Sequence, residues 1–112
     1  LVGDVQKCAV FLSKAFDLPL IPSDEPACWQ ELEAGGCNLA FHKAYGPDGP
    51  LAGPTGGPNN PHQITFYAAD VLAMRDELIR RGVAMGKITR FGDLMLCDGN
   101  DPEGHQFQIS NR

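Results

Sequence analysis

Residues 70–83, Asp70–Val83, read DVLAMRDELIRRGV. Val71, Met74, Leu78 and Ile79 recur at three- and four-residue steps, the spacing of one helical face. Asp70 is placed to cap the first turn. Arg80 and Arg81 stand in the last turn, where the helix dipole favours cations, and Gly82 supplies the stop. The same pattern stands at Asp4–Phe16, with Asp4 as the cap and Val5, Cys8, Ala9, Leu12 and Ala15 as the apolar stripe. The chain therefore carries two copies of one amphipathic helix.

Working outward, His62–Ala69 reads as a strand with Ile64, Phe66 and Ala68 on one face, leading directly into the Asp70 cap. After that helix come Val83–Phe91, Leu94–Asp98 and His105–Ser110, separated by Gly92-Asp93 and by Asp98-Gly99-Asn100-Asp101-Pro102, which reads as a turn. After the first helix come Trp29–Ala34 and Cys37–His42 on either side of a Gly35-Gly36 turn, with the first strand of that half weak. Gly46–Pro61 is dominated by Gly and Pro, so it is expected to form neither helix interior nor ladder and to serve as a linker. Superposing Asp4 on Asp70 leaves only Leu1–Gly3 for the strand that should precede the first helix. The expectation is a truncated opening strand.

A chain of 112 residues with 43% hydrophobic and 21% charged residues predicts one soluble domain rather than a disordered segment. The formal charge of −5 and the lack of a Lys or Arg run argue against a nucleic-acid partner and leave cationic small ligands open. No apolar run is long enough to span a bilayer and no charged leader stands at the start, so no membrane partner and a cytoplasmic location are expected. Cys8, Cys28, Cys37 and Cys97 form no CxxC pair and read as buried free thiols.

Two strand-helix-strand-strand-strand modules joined by a linker resemble the vicinal oxygen chelate superfamily, which includes glyoxalases, bleomycin resistance proteins and extradiol dioxygenases. The words that carry the resemblance are Asp101-Pro102-Glu103-Gly104-His105-Gln106-Phe107-Gln108-Ile109, similar to that superfamily's D-P-[DE]-G-x-x-[FIL]-E-[FIL]; Asp70-Val71 with Arg75-Asp76-Glu77-Leu78 and Arg81-Gly82-Val83; and Val2-Gly3-Asp4-Val5 with Phe11-Leu12 and Phe16-Asp17-Leu18-Pro19. The resemblance implies an α+β fold, paired βαβββ modules forming a cupped mixed sheet around a cavity. Within a single domain, 1–112, module one is 1–45, the linker 46–61 and module two 62–112. It also implies a homodimer.

Enzymes of the superfamily hold a divalent metal on the first and last strands of each module. Carried onto this chain, the second-module positions fall on Gln63 and Gln108 and the last strand of module one on Ala40; the first strand of module one would precede Leu1. Two amides and an alanine are a weak set for a divalent ion, which favours imidazole and carboxylate. The resemblance then implies a metal-free domain, without cofactor, that binds a small, partly apolar molecule in the cavity between its two modules. Gln63 and Gln108 would supply hydrogen bonds, with His42, Trp29 and Phe91 as further ligand contacts.

Other readings stand beside this one. His42 is either an exposed strand-end residue or a cavity contact, and His62 becomes a ligand if the strand register shifts by one. His42 and His62 could thus support a shifted metal site in a glyoxalase-like lyase or isomerase, or in an extradiol-type dioxygenase; a structural or regulatory module is the third reading. Glu31 and Glu33 share a strand face, as a carboxylate pair or a solvated edge. His105 reads as a solvated turn residue. Trp29, Phe41, Phe66, Phe91, Met95 and Phe107 divide between core and cavity wall, most of them core.

Overall fold

Residues 1–56 and 63–112 are described by a computed structural model. The two capping aspartates behave alike. Asp4 (φ −121°, ψ 98°) and Asp70 (φ −117°, ψ 95°) are both extended, and their carboxylates accept from the Lys7 and Ala73 backbone N–H groups at 2.9 Å. Each satisfies a first-turn donor that the helix itself leaves open. They start helix α1, Val5–Phe16, and helix α2, Val71–Arg80. At the end of α2, Gly82 takes φ 86°, and the Val83 N–H returns to the Leu78 carbonyl at 2.9 Å.

The chain divides into two compact units, Leu1–Gly56 and Gly57–Arg112. In the first, α1 packs on β2 (Trp29–Glu33) and β3 (Asn38–His42), and a two-residue strand β1 (Leu20–Ile21) completes an antiparallel sheet in the order β1-β2-β3. The buried side of α1, Val5, Cys8, Ala9, Leu12 and Ala15, shares the core with Leu32 and Phe41. Gly35 and Gly36 both take positive φ, which joins β2 tightly to β3. The irregular pattern of β2 in the sequence comes from Gln30, a buried amide that donates to the Ile21 carbonyl at 2.6 Å. Before α1, Val2 alone pairs in parallel, bridging to Lys43.

The linker expectation is corrected within 46–56. Tyr45–Gly46 (β4) and Gly49–Pro50 (β5) form a small antiparallel hairpin, because Gly49 takes φ 114° and Pro50 sits where no neighbouring strand needs its missing N–H. The expectations on residues 57–61 and on His62 lie outside the described residues.

In the second unit, β6 (Ile64–Tyr67), β7 (Ala84–Phe91), β8 (Leu94–Asn100) and β9 (Gln106–Ser110) form a mixed sheet ordered β6-β9-β8-β7, with β6 parallel to β9. Val71 and Leu78 of α2 are buried with Cys97, Phe107 and Ile109 of the sheet, whereas Ile79, placed on the apolar stripe by the sequence, is 45% exposed. The 98–102 segment corrects a second expectation. Asp98, Gly99 and Asn100 are ladder residues opposite Gln108, Phe107 and Gln106, and the turn begins only at Asp101. Gly99 belongs in a strand because the Phe107 ring lies over it. A Cβ there would stand 2.5 Å from Phe107 Cζ and 2.6 Å from Met85 Sδ.

His105 is not a solvated turn residue. Its Nδ1 lies 2.8 Å from Asp101 Oδ2, and Asp101 Oδ1 also accepts from the Glu103 and His105 backbone N–H groups at 2.8 Å. The thiol expectation is corrected in part as well. All four cysteines are free, but only Cys8 and Cys97 are buried, while Cys28 is half-buried and Cys37, beside the Gly35-Gly36 turn, is exposed. Burial pushes the Cys97 thiol pKa up.

Gly99→Ala should lower unfolding stability by about 1–3 kcal/mol through overpacking against Phe107. Gly53→Ala, with open space around its Cβ, should change it by less than about 0.5 kcal/mol. Urea denaturation of the two variants beside the parent chain checks the pair.

Candidate functional site

Strand alternation sends one set of side chains under the helix and the other to the opposite, open face of each sheet. In module two, Phe107, Ile109 and Cys97 lie under α2, so their neighbours Gln108 and Asp98 belong to the open face. Gln108 and Asp98 are direct cross-strand partners. Gln63 stands two residues before Thr65, the β6 partner of Gln108, and reaches the same place. Both amides converge on one atom: Gln63 Nε2 donates to Asp98 Oδ1 at 3.0 Å and Gln108 Nε2 donates to it at 2.9 Å.

The structure thus brings together the two expected residues Gln63 and Gln108, and it adds Asp98, which the sequence reading put at the end of a strand and the start of a turn without a partner. Phe91 lies at the end of β7, 65% exposed, opposite Leu94. Register puts it on the same open face, but it takes no part in the amide-carboxylate contact.

Module one repeats the arrangement with different groups. The Val2 N–H donates to the His42 carbonyl at 2.9 Å, as the Ala68 N–H donates to the Ser110 carbonyl at 2.8 Å. His42 therefore corresponds to Ser110, and Ala40 to Gln108. Across the ladder Ala40 faces Glu31, as Gln108 faces Asp98. Each module accordingly carries a carboxylate on its next-to-last strand, opposite the position where the superfamily's last-strand ligand falls.

Glu31 is held by its neighbours. Trp29 Nε1 donates to Oε1 at 2.8 Å and Asn38 Nδ2 to Oε2 at 2.9 Å. These bonds, the Trp29 bond first, hold the Glu31 carboxyl below the usual carboxylate range. Glu31 is bonded to Trp29 and Asn38, not paired with Glu33. Trp29 and His42 are cross-strand partners, with ring centroids 5.6 Å apart at 61°, and His42 lies 6.3 Å from the ring of Tyr45. Trp29 is 42% exposed and Tyr45 56%. Asn38 and Tyr45 were not among the expected site residues; the β2–β3 register would have found Asn38.

A cavity of about 310 Å³ at the start of α1, lined by Gly3, Asp4, Val5, Gln6, Ala27, Lys43 and Ala52, does not include these side chains. There Lys43 Nζ donates to the Gly3 carbonyl.

The donor chemistry decides how these positions suit a divalent ion. A carboxylate between two amides is satisfied only when both present N–H, and an ion would need both to present oxygen instead. Ala40 offers no donor atom. The three positions do not fit a tight divalent site, and among the described residues no group of three or more His, Cys, Asp or Glu side chains is arranged to hold a metal.

Because the folded-state pKa of Glu31 lies below its ordinary value, the interaction favours the folded chain above the ordinary value and is lost as pH falls through the lowered one. Trp29→Phe removes the larger contribution. The Glu31 carboxyl, followed by carbon NMR during a pH titration, should then titrate at higher pH than in the parent chain.

No sequence-family model and no curated protein matches the chain. Solved structures do. The fosfomycin resistance protein FosX of Mesorhizobium loti is 14% identical with a TM-score of 0.67, the match covering 97% of this chain and 83% of that one. A lactoylglutathione lyase from Agrobacterium tumefaciens is 19% identical with a TM-score of 0.66, covering 96% of this chain and 85% of that one. A glyoxalase/bleomycin resistance protein/dioxygenase family enzyme from Burkholderia phytofirmans PsJN is 16% identical with a TM-score of 0.69, covering 96% and 89%. Likeness at these identities speaks for architecture: together with the repeated module, it shows that the chain has the fold of the vicinal oxygen chelate superfamily.

Proposed function

We propose that this chain binds a small, partly apolar organic molecule on the open face of its module-two sheet, and that it does so without a metal ion. The observation that carries the reading is the convergence of Gln63 and Gln108 on Asp98 Oδ1. Those two positions hold metal ligands in the enzymes that the chain resembles, and here they serve as hydrogen-bond donors to a carboxylate. In this reading the other carboxylate oxygen, Asp98 Oδ2, accepts from a ligand N–H or O–H. The exposed ring of Phe91, on the same open face as Asp98, supplies apolar area of the kind ligand sites use.

The proposal includes a homodimer in the cytoplasm. β6 is an outer strand of its sheet and carries exposed Ile64 and Tyr67, which supports association of two copies. No helix among the described residues is long and apolar enough to cross a membrane.

A small-molecule library screened by thermal shift in the presence of EDTA tests the reading. At least one compound should raise the melting temperature, with a smaller rise for Asp98→Ala, which removes the acceptor. Stabilisation that appears only when a divalent ion is added, or no stabilisation by any compound, would overturn it.

A further inference from the structure

Module one carries a second kind of recognition surface, one made of rings and a fixed negative charge. Trp29, His42 and Tyr45 follow one another at 5.6 and 6.3 Å between ring centroids, and Trp29 and Tyr45 keep much of their surface in solvent. Glu31 adjoins this group through the Trp29 hydrogen bond, and the Asn38 bond fixes its other oxygen. Opposite Glu31 stands Ala40, whose methyl group offers no polar group to compete for the carboxylate. Glu33 lies two residues further along the same face and adds to the negative field in a chain of formal charge −5.

Aromatic faces attract cations through the ring quadrupole, and a carboxylate held beside them neutralises the charge without having to be ordered on binding. A neutral apolar ligand needs the rings but not Glu31, and an anion would be repelled by it. We propose that the open face of module one binds an organic ammonium ion, its charged head seated on Trp29, His42 and Tyr45 with Glu31 as counter-ion. The inference rests on the metal-independent binding reading only in taking the open sheet face as the binding surface. It names the chemical class of a ligand for a second surface, in the other unit from Asp98.

Trp29 is the only tryptophan in the chain, so its fluorescence reports on this place directly. Choline serves as the probe, and 3,3-dimethylbutan-1-ol, which replaces its nitrogen by carbon, serves as the uncharged isostere. Both are titrated against the full chain in EDTA. Choline should change Trp29 emission saturably, with a dissociation constant in about the millimolar range, and the isostere should bind at least about tenfold more weakly. Glu31→Gln, which keeps an oxygen for Trp29 and removes the charge, should weaken choline binding by about fivefold or more. Tyr45→Leu leaves the Glu31 hydrogen bonds untouched and should also weaken it.

Far-UV circular dichroism of each variant shows that the fold is kept. Equal binding of choline and its isostere, unchanged affinity in Glu31→Gln, or no saturable signal would overturn the ammonium assignment while leaving metal-free binding at Asp98 standing. Choline binding that requires added divalent metal would overturn both.

Discussion

The contact between Phe107 and Gly99 sets the register of β8 against β9, and the module-two site depends on that register. With Phe107 seated over Gly99, the next pair along the ladder is Gln108 with Asp98, and both project to the face away from α2. A slip of one residue would exchange the faces of a strand, carrying Asp98 toward the helix and Cys97 away from it. The Asp101 turn reinforces the same register, since its carboxylate ties the Glu103 and His105 N–H groups and the His105 ring into a fixed return between the strands. Core packing and polar chemistry thus come from alternate residues of the same two strands.

The internal repeat gives module one the same frame with different content. A carboxylate again faces the last strand, but it is Glu31 rather than Asp98, and its donors are an indole and an amide from its own sheet. In module two the donors are two side-chain amides, Gln63 just before β6 and Gln108 on β9. One backbone plan therefore carries a hydrogen-bonding group in one module and an aromatic group with a fixed charge in the other.

Much of this architecture was legible in the chain itself. The helices were, because Asp4 and Asp70 precede apolar residues at helical spacing and each caps a real first turn. The Gly35-Gly36 turn was, because only glycine takes two successive positive φ values without strain. Asp98-Gly99-Asn100 misled, since every residue there favours turns in isolation, and only a phenylalanine eight positions later makes glycine fit the strand. Tyr45–Pro50 misled in the same way. Gln63 and Gln108 could be found from the repeat and the resemblance, but their shared acceptor could not, because the sequence reading left Asp98 at the boundary between a strand and a turn and gave no cross-strand register. The partners of Glu31 come from a cross-strand register that local spacing does not encode.

Whether an amide-carboxylate cluster stands in place of a metal centre is the question on which the rest depends. Metal content per chain, measured after loading with cobalt or nickel and exhaustive dialysis, tests that most directly. The account predicts no retained ion. About one tightly held ion per chain with imidazole and oxygen ligation, rather than thiolate, would contradict it.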